Sequence, residues 1–294
     1  MVKKSHGYRC IIAFSLLIVF SALGCSMQTM AIRTTGGILE YGVESINEEE
    51  DLVIAEQAIM ANLKMLEALI KGDPKNKQLL VLAAQGYAGY ALAFVEDEYP
   101  KKAKMFYKRA QNYGLDVLNQ KKAFRNSVDG RLEDFGAAMK KFNVKDVPAL
   151  FWTANSWGNW INLSRDSPSA IVQMGKVELM MKRVLELDES YFYGGVHMFY
   201  SVYYGGRSKM FGGSPEKARL HFDKFIKISE GKFMIGKVLF AQYYGVQMQD
   251  DVLFKKLLNE TLETPGDVLP EQRLVNEIAK VKAAALLADM DSFF

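Results

Sequence analysis

The residues best suited to hold a ligand lie between positions 151 and 162. All three tryptophans of the chain fall there, Trp152, Trp157 and Trp160, with Phe151 before them and Asn155, Asn159 and Asn162 interleaved. Indole rings offer broad apolar surface, and side-chain amides orient a ligand by donating and accepting hydrogen bonds. On a helix, residues three or four apart share a face. Trp157 and Trp160 therefore point one way, and Trp152, Asn155 and Asn159 another. The same large side chains are equally suited to filling a core between helices, and the sequence leaves both readings open.

A second aromatic cluster runs from Tyr191-Phe192-Tyr193-Gly194-Gly195 through Phe199-Tyr200 to Tyr203-Tyr204-Gly205-Gly206-Arg207. Ser208, Lys209 and a further Gly212-Gly213 pair follow. Glycine pairs let a loop approach its neighbours closely and take conformations closed to other residues. Arg207 carries a planar fork that grips a carboxylate at two points, on a ligand or on a partner. A solvated charge on an inter-helix loop is the alternative. The candidate ligand set is thus Trp152, Asn155, Trp157, Asn159, Trp160, Tyr203, Tyr204 and Arg207.

Groups for catalysis are scarce. His197 and His221 sit in apolar helical stretches with no adjacent histidine and no metal-ligand spacing, which points to packed or surface histidines. Gly231-Lys232-Phe233-Met234-Ile235-Gly236-Lys237 matches a phosphate-binding loop only in part. Val238 stands where Ser or Thr would hold Mg²⁺, and a helix rather than a strand is expected before it. No enzyme activity, cofactor or metal site is expected. The absence of a polybasic patch interleaved with aromatics argues against nucleic acid.

The elements that must position these residues read as helices almost throughout. Asn47-Glu48-Glu49-Glu50-Asp51 offers a cap and acidic charge at a helix start, and Leu52, Ala55, Ile59, Leu63, Leu66 and Ile70 follow at helical spacing. Gly72-Asp73-Pro74 stops that helix. A second covers 76–96, and Pro100 opens a third, where its missing N–H costs little. Further breaks fall at 144–148, 165–168, 187–190, 205–215, 229–232 and 264–270. Tyr87, Tyr90-Ala91, Phe94, Ala103, Tyr107 and Ala110 approximate the tetratricopeptide spacing, in which alanines let two helices approach closely. Units around Trp157-Gly158 and Ser214-Pro215-Glu216-Lys217-Ala218 repeat it in part. The expected fold is all-α: a tetratricopeptide-like array of helix pairs, stacked into a curve with a concave side and a central cavity or pore.

The N-terminus reads as an export signal. Lys3, Lys4 and Arg9 precede an apolar run from Ile11 to Phe20, too short to span a bilayer, and Ser21-Ala22-Leu23-Gly24 leads into Cys25. That ending resembles the lipobox of bacterial lipoproteins, in which the cysteine is acylated and becomes the mature N-terminus. Residues 1–24 are then a signal peptide, 25–42 a lipid-anchored tether and 43–294 the helical repeat domain. Ser26, lacking a retaining acidic side chain, favours the outer membrane. Loss of the signal leaves 34 basic against 34 acidic residues and no free thiol, because Cys10 departs and Cys25 is acylated.

The lipobox, the stretch from Gly37-Ile38-Leu39 to Asp51, the block Phe151-Trp152-Thr153-Ala154-Asn155-Ser156-Trp157-Gly158 and the segment Tyr204-Gly205-Gly206 to Gly212-Gly213-Ser214-Pro215-Glu216-Lys217-Ala218 together resemble one family. It is the T component associated with tripartite ATP-independent periplasmic (TRAP) transporters. The resemblance implies a periplasm-facing lipoprotein of tetratricopeptide-like helix pairs, forming trimers whose subunits each hold a central pore or cavity. It implies a periplasmic TRAP substrate-binding protein as partner, with organic acids or hydrophobic molecules as the ligand. A structural scaffold for envelope assembly, packed solid and without a pore, is the competing expectation.

Overall fold

The computed structural model describes residues 32, 38–125 and 127–294. The signal peptide, Cys25 and most of the expected tether lie outside those residues; positions 38–47 form a helix. No strand occurs among the described residues, and the chain is all-helical.

Eleven helices carry the argument: α1 (Leu52–Gly72), α2 (Lys77–Phe94), α3 (Pro100–Leu118), α4 (Leu132–Met139), α5 (Val147–Asn162), α6 (Met174–Leu187), α7 (Tyr191–Gly205), α8 (Pro215–Ser229), α9 (Ile235–Phe240), α10 (Asp251–Glu263) and α11 (Arg273–Ala288). Local chemistry sets their starts. Asp51 caps α1 by accepting from the backbone N–H groups of Val53 at 2.8 Å and Ile54 at 3.1 Å. Asn76, Ser214 and Asp250 cap α2, α8 and α10 in the same way. Pro100 and Pro215 occupy the first turns of α3 and α8. The irregular stretch between α3 and α4 went unread in the sequence. A left-handed Gln249 (φ 54°) separates α9 from α10.

Most helices pack on the next in sequence, but α4 packs on α6 and leaves α3 to meet α5. The most extensive contacts join α7 to α8, α2 to α3 and α3 to α5. Small residues make the second and third of these possible. Ala83, Ala91, Ala103 and Ala110 are fully buried between α2 and α3 with the large rings of Tyr87 and Tyr107. At the α3–α5 crossing, Gly114 faces Thr153 so closely that a Cβ there would lie 2.0 Å from its Oγ1 and 3.1 Å from its Cα. Tyr87 and Tyr113 donate to Glu67 on α1, which ties the first three helices together.

One core fills α1 to α7 and a second fills α7 to α11, the latter around a stack of Phe222 on Phe240 at 3.9 Å and Phe240 on Tyr244 at 4.4 Å. The last helix returns to the first. Leu274 and Ile278 of α11 pack on Ala55 of α1, Arg273 pairs with Glu50, and Lys282 meets Asp97 just beyond α2 at 2.5 Å. The ordered path of helices therefore closes on itself.

Candidate functional site

A cavity of about 610 Å³ lies among α2, α5, α7 and α9, within the size range of about 300–1,000 Å³ for small-molecule sites. One stripe of α5 forms a polar wall. Asn155, Asn159 and Asn162, spaced four and three residues apart, all face the cavity with Gly158 and Ile161. Asn159 Nδ2 donates to Asn155 Oδ1 at 3.4 Å, and Asn162 Nδ2 donates to the Tyr243 hydroxyl at 2.8 Å. Tyr243 reaches this position because α9 widens into a π-helical turn at Ala241–Gly245, a local irregularity often found at functional sites. Burial, and next the neighbouring Glu96 carboxylate, push the Tyr243 phenol above its ordinary pKa.

The end of α7 supplies the opposite wall. Tyr203 donates to Glu178 Oε2 at 3.1 Å, and the Arg207 guanidinium sits 4.1 Å over the Tyr203 ring. Burial and the Glu178 charge raise the Tyr203 pKa. The loop after α7 needs its glycines. Gly212 has φ 85°, and a Cβ at Gly213 would fall 1.9 Å from the Arg207 carbonyl oxygen, so the loop folds back on the residue that carries the charge. Phe211 and Ile171, both exposed, also reach the cavity.

Glu96, just past α2, lines the same cavity. It accepts from the buried Tyr107 hydroxyl and lies 3.6 Å from Lys282. Burial raises its pKa, against the pull of Lys282 and Tyr107. The remaining wall is apolar, with Leu92, Met198 and Leu239 prominent. No cluster of three or more His, Cys, Asp or Glu suited to a metal ion occurs among the described residues.

The expected site set divides. Asn155, Asn159, Tyr203 and Arg207 come together at the cavity; Trp157, Trp160 and Tyr204 do not. Trp157 is 2% exposed, faces the helix core and donates from Nε1 to Gln173 at 2.8 Å. Trp160 is half-buried under the Lys108 ammonium, 5.0 Å from the ring centroid. Tyr204 stacks on Tyr200 at 5.7 Å and is covered by Lys217. Trp152 belongs to a smaller cavity of about 130 Å³ with Phe192, Tyr90 and Ile278, and its Nε1 donates to Tyr191 at 3.2 Å. The indoles thus lie apart from the larger cavity, Trp152 at the smaller one and Trp157 and Trp160 against neighbouring helices. An indole fills a helix crossing better than an amide does, so packing claims the rings and leaves the amides to the cavity.

Asn162, named with the other asparagines in the sequence but not in the candidate set, continues the stripe. Three lining residues escaped the sequence reading. Glu96, Arg165 and Tyr243 come from separate helix ends and share no local pattern.

Phe192, which lines the smaller cavity, opens α7 in an unusual way. Phe192 (φ 48°), Tyr193 (φ 58°) and Gly194 (φ 75°) are successive left-handed residues. Two such non-glycine residues in a row cost about 1–2 kcal/mol each. They are held by rings: Phe192 against Trp152 at 4.8 Å and Phe233 at 5.4 Å, and Tyr193 stacked on Phe233 at 5.0 Å.

The described chain is all-helical, and one of its cavities brings amide, phenol and guanidinium groups together with apolar side chains. The family model for the TRAP transporter T-component matches residues 48–294, and the chain belongs to that family. It is also similar to a protein of Treponema pallidum (strain Nichols), described as an uncharacterized protein. The identity is 22% over 315 residues, spanning 97% of each chain. Membership makes this chain an accessory component of a TRAP transport system and points to an envelope or periplasmic location. No described helix is long and apolar enough to cross a membrane.

Proposed function

We propose that this T component is a periplasm-facing lipoprotein, anchored through an acylated Cys25 in the outer membrane, that docks a periplasmic TRAP substrate-binding protein. Its tetratricopeptide-like helix pairs enclose the cavity that holds the ligand or passes it to or from that partner. Trp152, at the smaller cavity, stands one turn along the same α5 stripe as Asn155. The protein acts as a homotrimer and catalyses nothing.

The observation that carries the reading is the convergence of Asn155, Asn159 and Asn162 from α5, Tyr203 from α7 and Arg207 from the loop after it on one open space. A scaffold packed solid would leave no such space.

The lipidated chain, purified in detergent with the TRAP substrate-binding protein co-expressed, is expected to retain that protein through gel filtration. Native mass spectrometry is expected to find a small molecule that leaves on denaturation. Separation of the two proteins at every concentration tested, together with unchanged transport in a strain lacking this chain, would refute the reading.

A further inference from the structure

Three charged side chains line the main cavity, Glu96, Arg165 and Arg207. Their formal sum is a single positive charge. Neither guanidinium meets a carboxylate among the described residues. Arg165, exposed, donates only to the Asn162 amide oxygen, and Arg207, half-buried, lies over Tyr203. Glu96, by contrast, is already engaged by Tyr107 and Lys282, and Lys282 is shared with Asp97. That corner thus holds two carboxylates against one ammonium. It has no spare positive charge to offer a second anionic group.

Between these charges the wall is apolar, formed by Leu92, Ile161, Met198 and Leu239. On the premise that the cavity is the ligand site, we infer that it selects amphipathic monocarboxylates. Arg207 and Arg165 hold the carboxylate, the asparagine stripe fixes its orientation, and an apolar body lies along Leu92, Ile161, Met198 and Leu239. A dicarboxylate is rejected because its second charge meets the Glu96 carboxylate. An uncharged molecule of equal length is held less tightly because two guanidiniums stay unpaired. Charge-assisted hydrogen bonds are stronger than neutral ones, so the carboxylate alone is worth about tenfold or more in affinity.

Octanoate, 1-octanol and suberate share one chain length and differ only in terminal charge, and calorimetric titration of each into the full chain separates the cases. Octanoate is expected to bind, with the alcohol and the diacid at least about tenfold weaker. Arg207→Gln is expected to lower octanoate affinity to the level of the alcohol without shifting the melting temperature. Arg165→Gln gives an independent reading should the first variant lose its fold. Equal affinity for octanol and octanoate, equal affinity for suberate, or undiminished octanoate binding by a folded variant would each overturn the inference. Failure of all three probes to bind, with the substrate-binding protein still co-purifying, would overturn it and leave the docking reading standing.

Discussion

Nδ1 of His221 lies 2.8 Å from Nδ1 of His197, and Nε2 of His197 lies 3.1 Å from a Glu189 carboxylate oxygen. A carboxylate only accepts, so His197 donates from Nε2 and, when neutral, must accept at Nδ1 from His221 Nδ1–H. Two residues that read as unrelated packed histidines thus form one chain of hydrogen bonds joining α7 to α8. Tyr200 and Tyr204 cover the His221 ring, and Lys217 and Lys224 are the cations nearby.

The pair makes the fold sensitive to acid. Burial, then repulsion from His197, Lys224 and Lys217, holds His221 down to about 4 from its ordinary 6.5. Burial also lowers His197, against the pull of Glu189. A folded-state pKa below the unfolded one means that the unfolded chain binds protons first. The stability contribution is whole above pH 6.5 and is lost as pH falls toward 4. The expected loss is about 1–3 kcal/mol across that window, read as a falling melting temperature. His221→Asn keeps a donor in place without a titrating group and should flatten the slope. Glu67 adds a separate, lower window. Burial opposes its charge, but hydrogen bonds from Lys64, Tyr87 and Tyr113 hold it at about 2, so its contribution fades only below about pH 4.5.

Trp157 should behave as a core residue. Trp157→Ala is expected to cost about 3–5 kcal/mol in a denaturant titration, whereas Asn155→Ala, half-buried at the cavity, should cost under about 1 kcal/mol. Equal, small effects at both positions would contradict the packing described for α5.

The α3–α5 crossing depends on a missing side chain. Gly114→Ala places a Cβ against both Oγ1 and the backbone of Thr153, so the helices must separate. Overpacking of this kind costs about 1–3 kcal/mol, and the urea midpoint should fall accordingly. A midpoint at or above that of the parent protein would show that the crossing is looser than its geometry.

The anchor is tested apart from the fold. Cys25→Ala, made in the full-length precursor, should move the protein from the membrane pellet to the soluble fraction while leaving its helical circular dichroism unchanged. Membrane association that survives the substitution argues against acylation at Cys25.

Helix boundaries were legible in the sequence because caps and stops act over three or four residues. Asp51, Asn76, Pro100 and Ser214-Pro215 start helices by bonds or ring constraints that need no distant partner. The small-large pattern of Ala91, Ala103, Tyr107 and Ala110 likewise marked which faces would meet, since backbone approach depends on side-chain size alone. Local pattern also brought Asn155, Asn159, Tyr203 and Arg207 into the candidate set. Only the tertiary structure chose between the two stripes of α5. Each stripe carries both apolar and polar groups, so periodicity could not say which one a neighbouring helix would cover. The left-handed Phe192–Tyr193 turn and the histidine pair spanning 24 positions were hidden for a related reason. Both depend on contacts supplied by other helices, and a chain read in one dimension carries no record of which side chains will surround a given bond.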